Sequence, residues 1–218
     1  MSKIRFLQLL FIFYLLGSCT QETWNVEQEN VLRQGVLTRG VGPMEDAMEG
    51  LKGTTLGKKL IEKLSIPVKF EYDQSMKPGT MGYVGGGIIR YNDLNAPFGP
   101  LLFHELFHVY QMKEIAVASR NHEVEAYMAQ YLLVMSIEGA EEKDFDAVST
   151  EFENCIRKLA KYTTWSVMDT KGSIKFQRLY EKALVELRKH HLYGTNTNYT
   201  EEPGPYSFQN LYHFLSIK

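Results

Sequence analysis

Two histidines and a glutamate interrupt an otherwise apolar stretch of the chain. The stretch "LLFHELFHVYQ" carries His104, Glu105 and His108 among aliphatic and aromatic residues. Burying an unpaired imidazole or carboxylate costs free energy, so a segment with only a packing role would avoid these groups. If the stretch is a helix, His104 and His108 stand one turn apart on the same face, and both rings can reach one ion.

The spacing H-E-x-x-H is typical of a zinc site that includes its own general base. Imidazole nitrogen is a good zinc ligand, and zinc lowers the pKa of a bound water to about 7. Glu105 projects beside the two histidines, where it can take the proton of that water and later pass it to the leaving amine. The sequence therefore predicts hydrolytic zinc chemistry.

A hydrolytic zinc site usually has three protein ligands, so a third ligand is needed. The metzincin pattern would place a glycine three and a histidine six residues after His108, but Gln111 and Glu114 occupy these positions. Downstream, "NHEVEAYMAQYLLVMSI" predicts a helix with Glu123 and Glu125 in its first turns. Residues two apart on a helix point about 200° apart, so only one of the two glutamates can face the metal.

Hydrophobic periodicity predicts the elements that must position these residues. It indicates a helix over "TTLGKKLIEKLSIP", a strand over "PVKFEYD" and a second strand region over "MGYVGGGIIRYND". Asn121 is the predicted N-cap of the glutamate-bearing helix. The order predicts an α+β fold, with a small antiparallel sheet followed by a mostly helical half that contains the active-site helix. The helices of that half are expected at 97–114, 120–138, 143–162, 173–191 and 207–215.

The N-terminus has the layout of a lipoprotein signal peptide at residues 1–18. Lys3 and Arg5 precede an apolar run that is short for a membrane span and ends in "LGSC", which resembles the lipobox of bacterial lipoproteins. Cys19 would be acylated and anchored in the membrane, and polar residues 19–30 would form a tether. An ordinary cleaved signal or an uncleaved anchor helix is the alternative. We expect a lipid-anchored protein of the cell envelope, facing the periplasm or the cell exterior.

Charge, length and cysteine content limit the kinds of partner, the number of domains and the kinds of metal site that the chain can have. The formal net charge is -2 with interspersed signs, so no basic stripe indicates nucleic-acid binding. Residues 31–218 suit one domain. Only Cys155 remains once Cys19 is acylated, which excludes an intramolecular disulfide and a cysteine-rich metal site. The sequence predicts no particular oligomeric state.

The segment "HELFH" followed by "EVEAY" resembles the gluzincin metallopeptidases, the class that includes thermolysin and the membrane-bound CAAX-processing proteases. The resemblance implies a zincin-like fold and a zinc ion held by His104 and His108, with Glu105 as the general base. Its Glu-x-x-Ala spacing implies that Glu123 is the third ligand, with Glu125 as the alternative. The implied activity is a membrane-tethered, extracytoplasmic zinc peptidase that acts on a peptide or protein substrate.

The same resemblance raises three further expectations. Tyr127 stands where the family often has aspartate, so another group must orient a histidine ligand. The segment "GGGIIRYN" resembles the zincin edge strand that pairs with an extended substrate, although a glycine-rich hairpin is an equal alternative. The group that stabilises the transition state would come from the C-terminal half, where the candidates are His190, His191, Tyr193 and Tyr199.

A function of another class also fits the sequence. The protein could be a non-catalytic lipoprotein that keeps a zincin-like fold to bind a partner or a cell-envelope component, with a structural metal. Structural zinc sites are usually closed by four protein ligands, and the sequence offers no convincing fourth, which favours the enzyme.

The lipobox interpretation predicts the effect of Cys19→Ser. Without the thiol, no acyl chain can be attached, so the variant should leave the membrane fraction or retain its signal peptide. Fractionation and N-terminal mass analysis measure both. A variant that stays in the membrane with a normally processed N-terminus would exclude lipidation at this position.

Overall fold

The computed structural model describes residues 43–92, 99–112, 119–163, 174–194 and 199–216. The predicted signal peptide at 1–18, Cys19 and the tether at 19–30 lie outside these residues, as do Glu114 and position 97, where the active-site helix was expected to begin. Within the described ranges, no helix has the length and apolar character needed to cross a membrane.

The described chain is a mixed α+β fold with a helical C-terminal half, as predicted. Two helices come first, a three-stranded sheet follows, and the remaining helices come after the sheet. The elements are α1 Pro43–Lys52, α2 Thr55–Lys63, β1 Lys69–Tyr72, β2 Thr80–Gly85, β3 Ile88–Asn92, α3 Gly99–Met112, α4 Arg120–Met135, α5 Thr150–Thr163, α6 Ile174–Lys189, α7 His191–Gly194 and α8 Gln209–Leu215.

The sheet is mixed, so the prediction of an antiparallel sheet is only half right. The strand order is β1-β3-β2, in which β3 runs antiparallel to β2 and parallel to β1. The chain passes from β1 to the far edge of the sheet and returns through a hairpin into the middle. Because the chain returns in this way, β3 pairs with β1 and runs parallel to it.

Glycines make the hairpin between β2 and β3. Gly85, Gly86 and Gly87 have φ angles of 100°, 60° and 76°, in the left-handed region that favours glycine. The register also shifts between Tyr83 and Gly85. The segment "GGGIIRYN" is therefore a glycine-rich turn followed by the central strand. The interpretation of this segment as an edge strand is wrong, because β3 has neighbours on both sides.

Three helix predictions differ from the structure. No helix was predicted at α1, because apolar periodicity is weak there, although the helix begins with Pro43, a favourable residue for a first helical position. Helix α4 is preceded by Ser119 as its N-cap residue, and the Asn121 side chain instead accepts a 2.8 Å hydrogen bond from the backbone N–H of Glu202. Helix α5 begins at Thr150, after a separate 3₁₀ turn at Glu142–Asp144.

Helix α3 is the centre of the fold. Its residues from Pro100 to Val109 are all buried. Helices α1, α2 and α4 and strand β2 pack around it, while α5 and α6 pack on α4. A helix that is covered on all sides must be apolar all round, so each polar residue in it needs a specific partner.

The corner between α1 and α2 depends on a close backbone approach. The Thr54 hydroxyl accepts a hydrogen bond from the N–H of Gly57 at 2.9 Å and donates one to the carbonyl oxygen of Leu51, also at 2.9 Å. A Cβ atom at Gly57 would lie 2.1 Å from that same Leu51 oxygen. Only glycine therefore allows these two helices to meet as they do behind α3.

This contact predicts that Gly57→Ala destabilises the protein. The methyl group must push α1 away from α2, and such overpacking typically costs about 1–3 kcal/mol. The matched control is Gly99→Ala, because a Cβ at Gly99 meets no atom of the described chain within 4 Å and should change stability by less than about 0.5 kcal/mol. Denaturant unfolding measures both. A more stable Gly57→Ala variant, as helix propensity alone would give, would contradict the tight corner.

Candidate metal centre

Helices α3 and α4 bring His104, His108 and Glu123 together in the interior. The Nε2 atoms of the two histidines lie 3.1 Å apart, and Glu123 Oε2 lies 3.4 Å from the first and 3.5 Å from the second. Both histidines are fully buried and Glu123 is 2 % exposed. Since each residue offers one ligand atom to the same point, this cluster could hold a metal ion.

The three separations fit donors that surround one ion. Four donors at tetrahedral corners, each about 2 Å from an ion, are roughly 3.3 Å from one another. The observed separations of 3.1, 3.4 and 3.5 Å are close to that value. The three side chains therefore occupy three corners of such an arrangement without further movement.

Two glutamines set the direction in which the histidine rings point. His104 Nδ1 contacts Gln130 Oε1 at 3.0 Å, and His108 Nδ1 contacts Gln111 Oε1 at 2.9 Å. An amide oxygen only accepts, so each Nδ1 must carry the proton and donate. In the neutral ring the Nε2 lone pair then points into the cluster, as a metal ligand requires.

The electrostatics of the cluster favour one positive charge at its centre. Burial alone would lower the pKa of His108, but the charges of Glu123 and Glu105 raise it to about 9. Burial lowers the pKa of His104. Burial would raise the pKa of Glu123, yet the two histidines hold it well below its ordinary value. Two nitrogen lone pairs only 3.1 Å apart repel each other unless a proton or a metal ion lies between them.

Glu105 lies beside the ligands and is held by the sheet. The carboxylate is fully buried, and its Oε2 accepts a 2.7 Å hydrogen bond from the backbone N–H of Tyr83 in β2. It is close enough to His108 to raise the pKa of that ring, but it does not belong to the group of converging ligand atoms. The structure therefore separates one carboxylate that can bind a metal, Glu123, from one that can accept a proton next to it.

Tyrosines form another side of the site. The ring of Tyr127 packs edge-on against His104, with centroids 4.5 Å apart, and its hydroxyl lies 3.1 Å from that of Tyr193. The Tyr199 hydroxyl donates a 3.3 Å hydrogen bond to Glu123 Oε1. Arg120 holds the backbone of both C-terminal tyrosines, since its guanidinium donates to the carbonyl oxygens of Tyr193 and Tyr199 at 3.0 and 3.1 Å.

Three other predicted residues lie outside the group of converging ligand atoms. Glu125 points away from the histidines and accepts hydrogen bonds from Gln111 and Asn210. Burial raises its pKa to about 7, although these donors favour the charged form. The rings of His190 and His191 lie just after α6 with centroids 4.4 Å apart and a tilt of 46° between them, and neither residue belongs to the converging group.

Sequence reasoning missed the groups that support the site. Gln111 and Gln130 contact the Nδ1 atoms of the two histidines, and Asn210 reaches Glu125 from a distant helix. Gln130 carried one signal, because it is a polar residue within the apolar run "AYMAQYLLV". The N–H that holds Glu105 belongs to the backbone and leaves no mark in the sequence.

Comparison of the chain with protein-family models, with curated proteins and with solved structures gives no significant match. The function is therefore inferred from the geometry of this site.

The converging ligands predict that Glu123→Ala abolishes stoichiometric metal binding. The change removes one of three donors, so the affinity should fall by more than the roughly 10- to 100-fold that is typical when a supporting partner of a ligand is lost. Metal content after equilibration with zinc and desalting measures the effect. The control is Glu153→Ala, which removes a half-buried glutamate of α5. Equal metal content in Glu123→Ala and the unsubstituted protein would exclude Glu123 as a ligand.

Proposed function

We propose that the protein is a zinc-dependent peptidase that acts outside the cytoplasm while tethered to a membrane. The observation that carries the proposal is the convergence of two histidines with fixed ring orientation and one glutamate, with a second glutamate beside them. Three protein ligands and an adjacent carboxylate are the parts that hydrolysis at a zinc ion requires.

Zinc is the metal that this donor set fits best. Two imidazole nitrogens and one carboxylate oxygen at tetrahedral separations suit zinc, whereas magnesium and calcium prefer sites made of oxygen alone. His104, His108 and Glu123 would hold the ion. When bound, zinc would polarise the scissile carbonyl and make a water molecule acidic near neutral pH.

Glu105 is the proposed general base. The Tyr83 N–H holds the carboxylate in place through a hydrogen bond to Oε2. Glu105 takes a proton from the attacking water and then gives it to the nitrogen of the leaving amine, which restores the carboxylate. The buried surroundings strengthen the electrostatic part of this chemistry.

Tyr199 is the proposed donor to the oxygen that becomes negatively charged in the transition state. Its hydroxyl donates a hydrogen bond to a proposed ligand residue, at Glu123 Oε1. Arg120 fixes its backbone and also lies over its ring, 5.9 Å from the centroid. The hydroxyl has one proton, which it donates to Glu123 Oε1 in this structure, and this O–H would turn to the substrate oxygen as negative charge develops there.

The N-terminal sequence supports the proposed location. The signal-like residues 1–18, Cys19 at the lipobox-like "LGSC" and the polar residues 19–30 together suit a lipid anchor with a short tether. The substrate would then be a peptide or protein of the cell envelope or the exterior.

One observation favours a second candidate function. His104, Glu105 and His108 are all fully buried. A closed site of this kind would suit a structural metal in a lipoprotein that binds a partner or a cell-envelope component without cleaving it. In that case zinc would raise thermal stability by mass action, and no substrate would be hydrolysed.

The mechanism predicts that Glu105→Gln binds zinc but loses hydrolysis. Glutamine is nearly isosteric and its carbonyl oxygen can still accept the Tyr83 N–H bond, but it cannot take the proton of the water. The turnover number should fall at least about 100-fold, as expected when a general base is lost. Cleavage of a peptide library, with and without a chelator, measures activity, and metal analysis measures occupancy.

The same assay separates the two candidate functions. Chelator-sensitive cleavage by the unsubstituted protein, lost in Glu105→Gln, supports the peptidase. Equal cleavage by both proteins, with contaminating proteases excluded, contradicts the role of Glu105. Zinc binding that stabilises both proteins without any cleavage favours the non-catalytic lipoprotein.

A further inference from the structure

Glu125 is a buried carboxylate that neither the ligand set nor the proposed base accounts for. It is 3 % exposed and lies on α4, two residues after Glu123. Its Oε2 accepts hydrogen bonds from Gln111 Nε2 at 2.9 Å and from Asn210 Nδ2 at 2.7 Å, and its Oε1 accepts one from the Asn210 backbone N–H at 3.2 Å. A carboxylate is expensive to bury, so these contacts indicate a specific task.

The contact with Gln111 determines which way that amide points. Gln111 Nε2 donates to Glu125 Oε2 at 2.9 Å and to the carbonyl oxygen of His122 at 3.1 Å, and both are acceptors. The opposite end of the amide, Oε1, contacts His108 Nδ1 at 2.9 Å. If the amide were reversed, its oxygen would face two acceptors and its NH₂ group would face the N–H of His108, so all three hydrogen bonds would be lost.

We propose that Glu125 is a positioning residue that acts through Gln111 on His108. By holding the Gln111 amide in one orientation, it keeps the proton of His108 on Nδ1 and the Nε2 lone pair directed at the metal. This inference rests on the metal site of the proposed function and not on the hydrolytic reaction.

The contact of His104 with Gln130 shows what an amide without such support looks like. His104 Nδ1 contacts Gln130 Oε1 at 3.0 Å, but the Nε2 of Gln130 is buried with no hydrogen-bond partner among the described residues. Among the described residues, the Gln130 amide is therefore held by its contact with His104 alone. The Gln111 amide is also held from the side opposite the histidine.

A double-mutant cycle on the full-length chain tests the inference. Glu125→Leu, Gln111→Leu and the double variant are compared with the unsubstituted protein for zinc affinity, by competition with a chromophoric chelator. Each single change should weaken zinc binding about 10- to 100-fold. If Glu125 acts through Gln111, the double variant should be no weaker than Gln111→Leu alone, because the Glu125 change has nothing left to act on.

Two further variants separate positioning from general stability. Asn210→Ala removes one donor to Glu125 but leaves Gln111 in place, so it should lower the melting temperature and keep zinc affinity within about threefold. Glu125→Gln keeps an oxygen that can accept from Gln111 and should restore most of the affinity lost in Glu125→Leu. Affinity losses in Asn210→Ala as large as those in Glu125→Leu would show a merely structural role.

The outcomes distinguish this inference from the proposed function. Additive losses in the cycle, or a Gln111→Leu variant that binds zinc as tightly as the unsubstituted protein, would overturn the role of Glu125 and leave the metal site intact. If Glu125→Leu does not fold, the zinc affinity of Gln111→Leu alone still tests the inference. An unsubstituted protein that binds no zinc would overturn both.

Discussion

Two imidazole nitrogens and a carboxylate oxygen point at one place in the buried interior, and the rest of the structure is arranged around this convergence. The two Nε2 atoms lie 3.1 Å apart, so a proton or a metal ion must lie between them to relieve the repulsion of their lone pairs. Glutamine oxygens on the far side of each ring impose that direction. The three groups that looked too expensive for an apolar helix are thus compensated by each other and by polar neighbours on α4 and β2.

Each polar group of the site is supplied or held by a particular element of the fold. Strand β2 offers a backbone N–H to Glu105, α4 supplies both Glu123 and the glutamine that orients His104, and the segment after α7 supplies Tyr199. Arg120 at the start of α4 joins these regions, because its backbone N–H and its guanidinium both bind carbonyl oxygens of that segment. Regular elements therefore carry the ligands, and Arg120 is one of the residues that connect the Tyr199 segment to them.

The fold class and the residues of the cluster were easier to predict from the sequence than the strand directions and the choice between two glutamates. Short-range patterns were sufficient for α2, α3 and α4, because helical spacing alone places His104 and His108 on one face. The direction of β1 relative to β3 was wrong, since strand order depends on the path of the chain and not on alternation. Residue spacing could not decide between Glu123 and Glu125, which flank Val124, and the structure brings Glu123 to the histidines because α4 packs with that side toward α3.

The parts of the site differ in how far apart they lie along the chain. His104 and its glutamine are 26 residues apart, whereas Glu125 and Asn210 are separated by 85. Closing the longer loop costs roughly 1 kcal/mol more in chain entropy. The candidate ligands and both supporting glutamines all belong to the hairpin of α3 and α4, while Tyr199 and Asn210 join from the C-terminal part. During folding, the metal-binding geometry can thus form from one local pair of helices before the contacts with the C-terminal part are made.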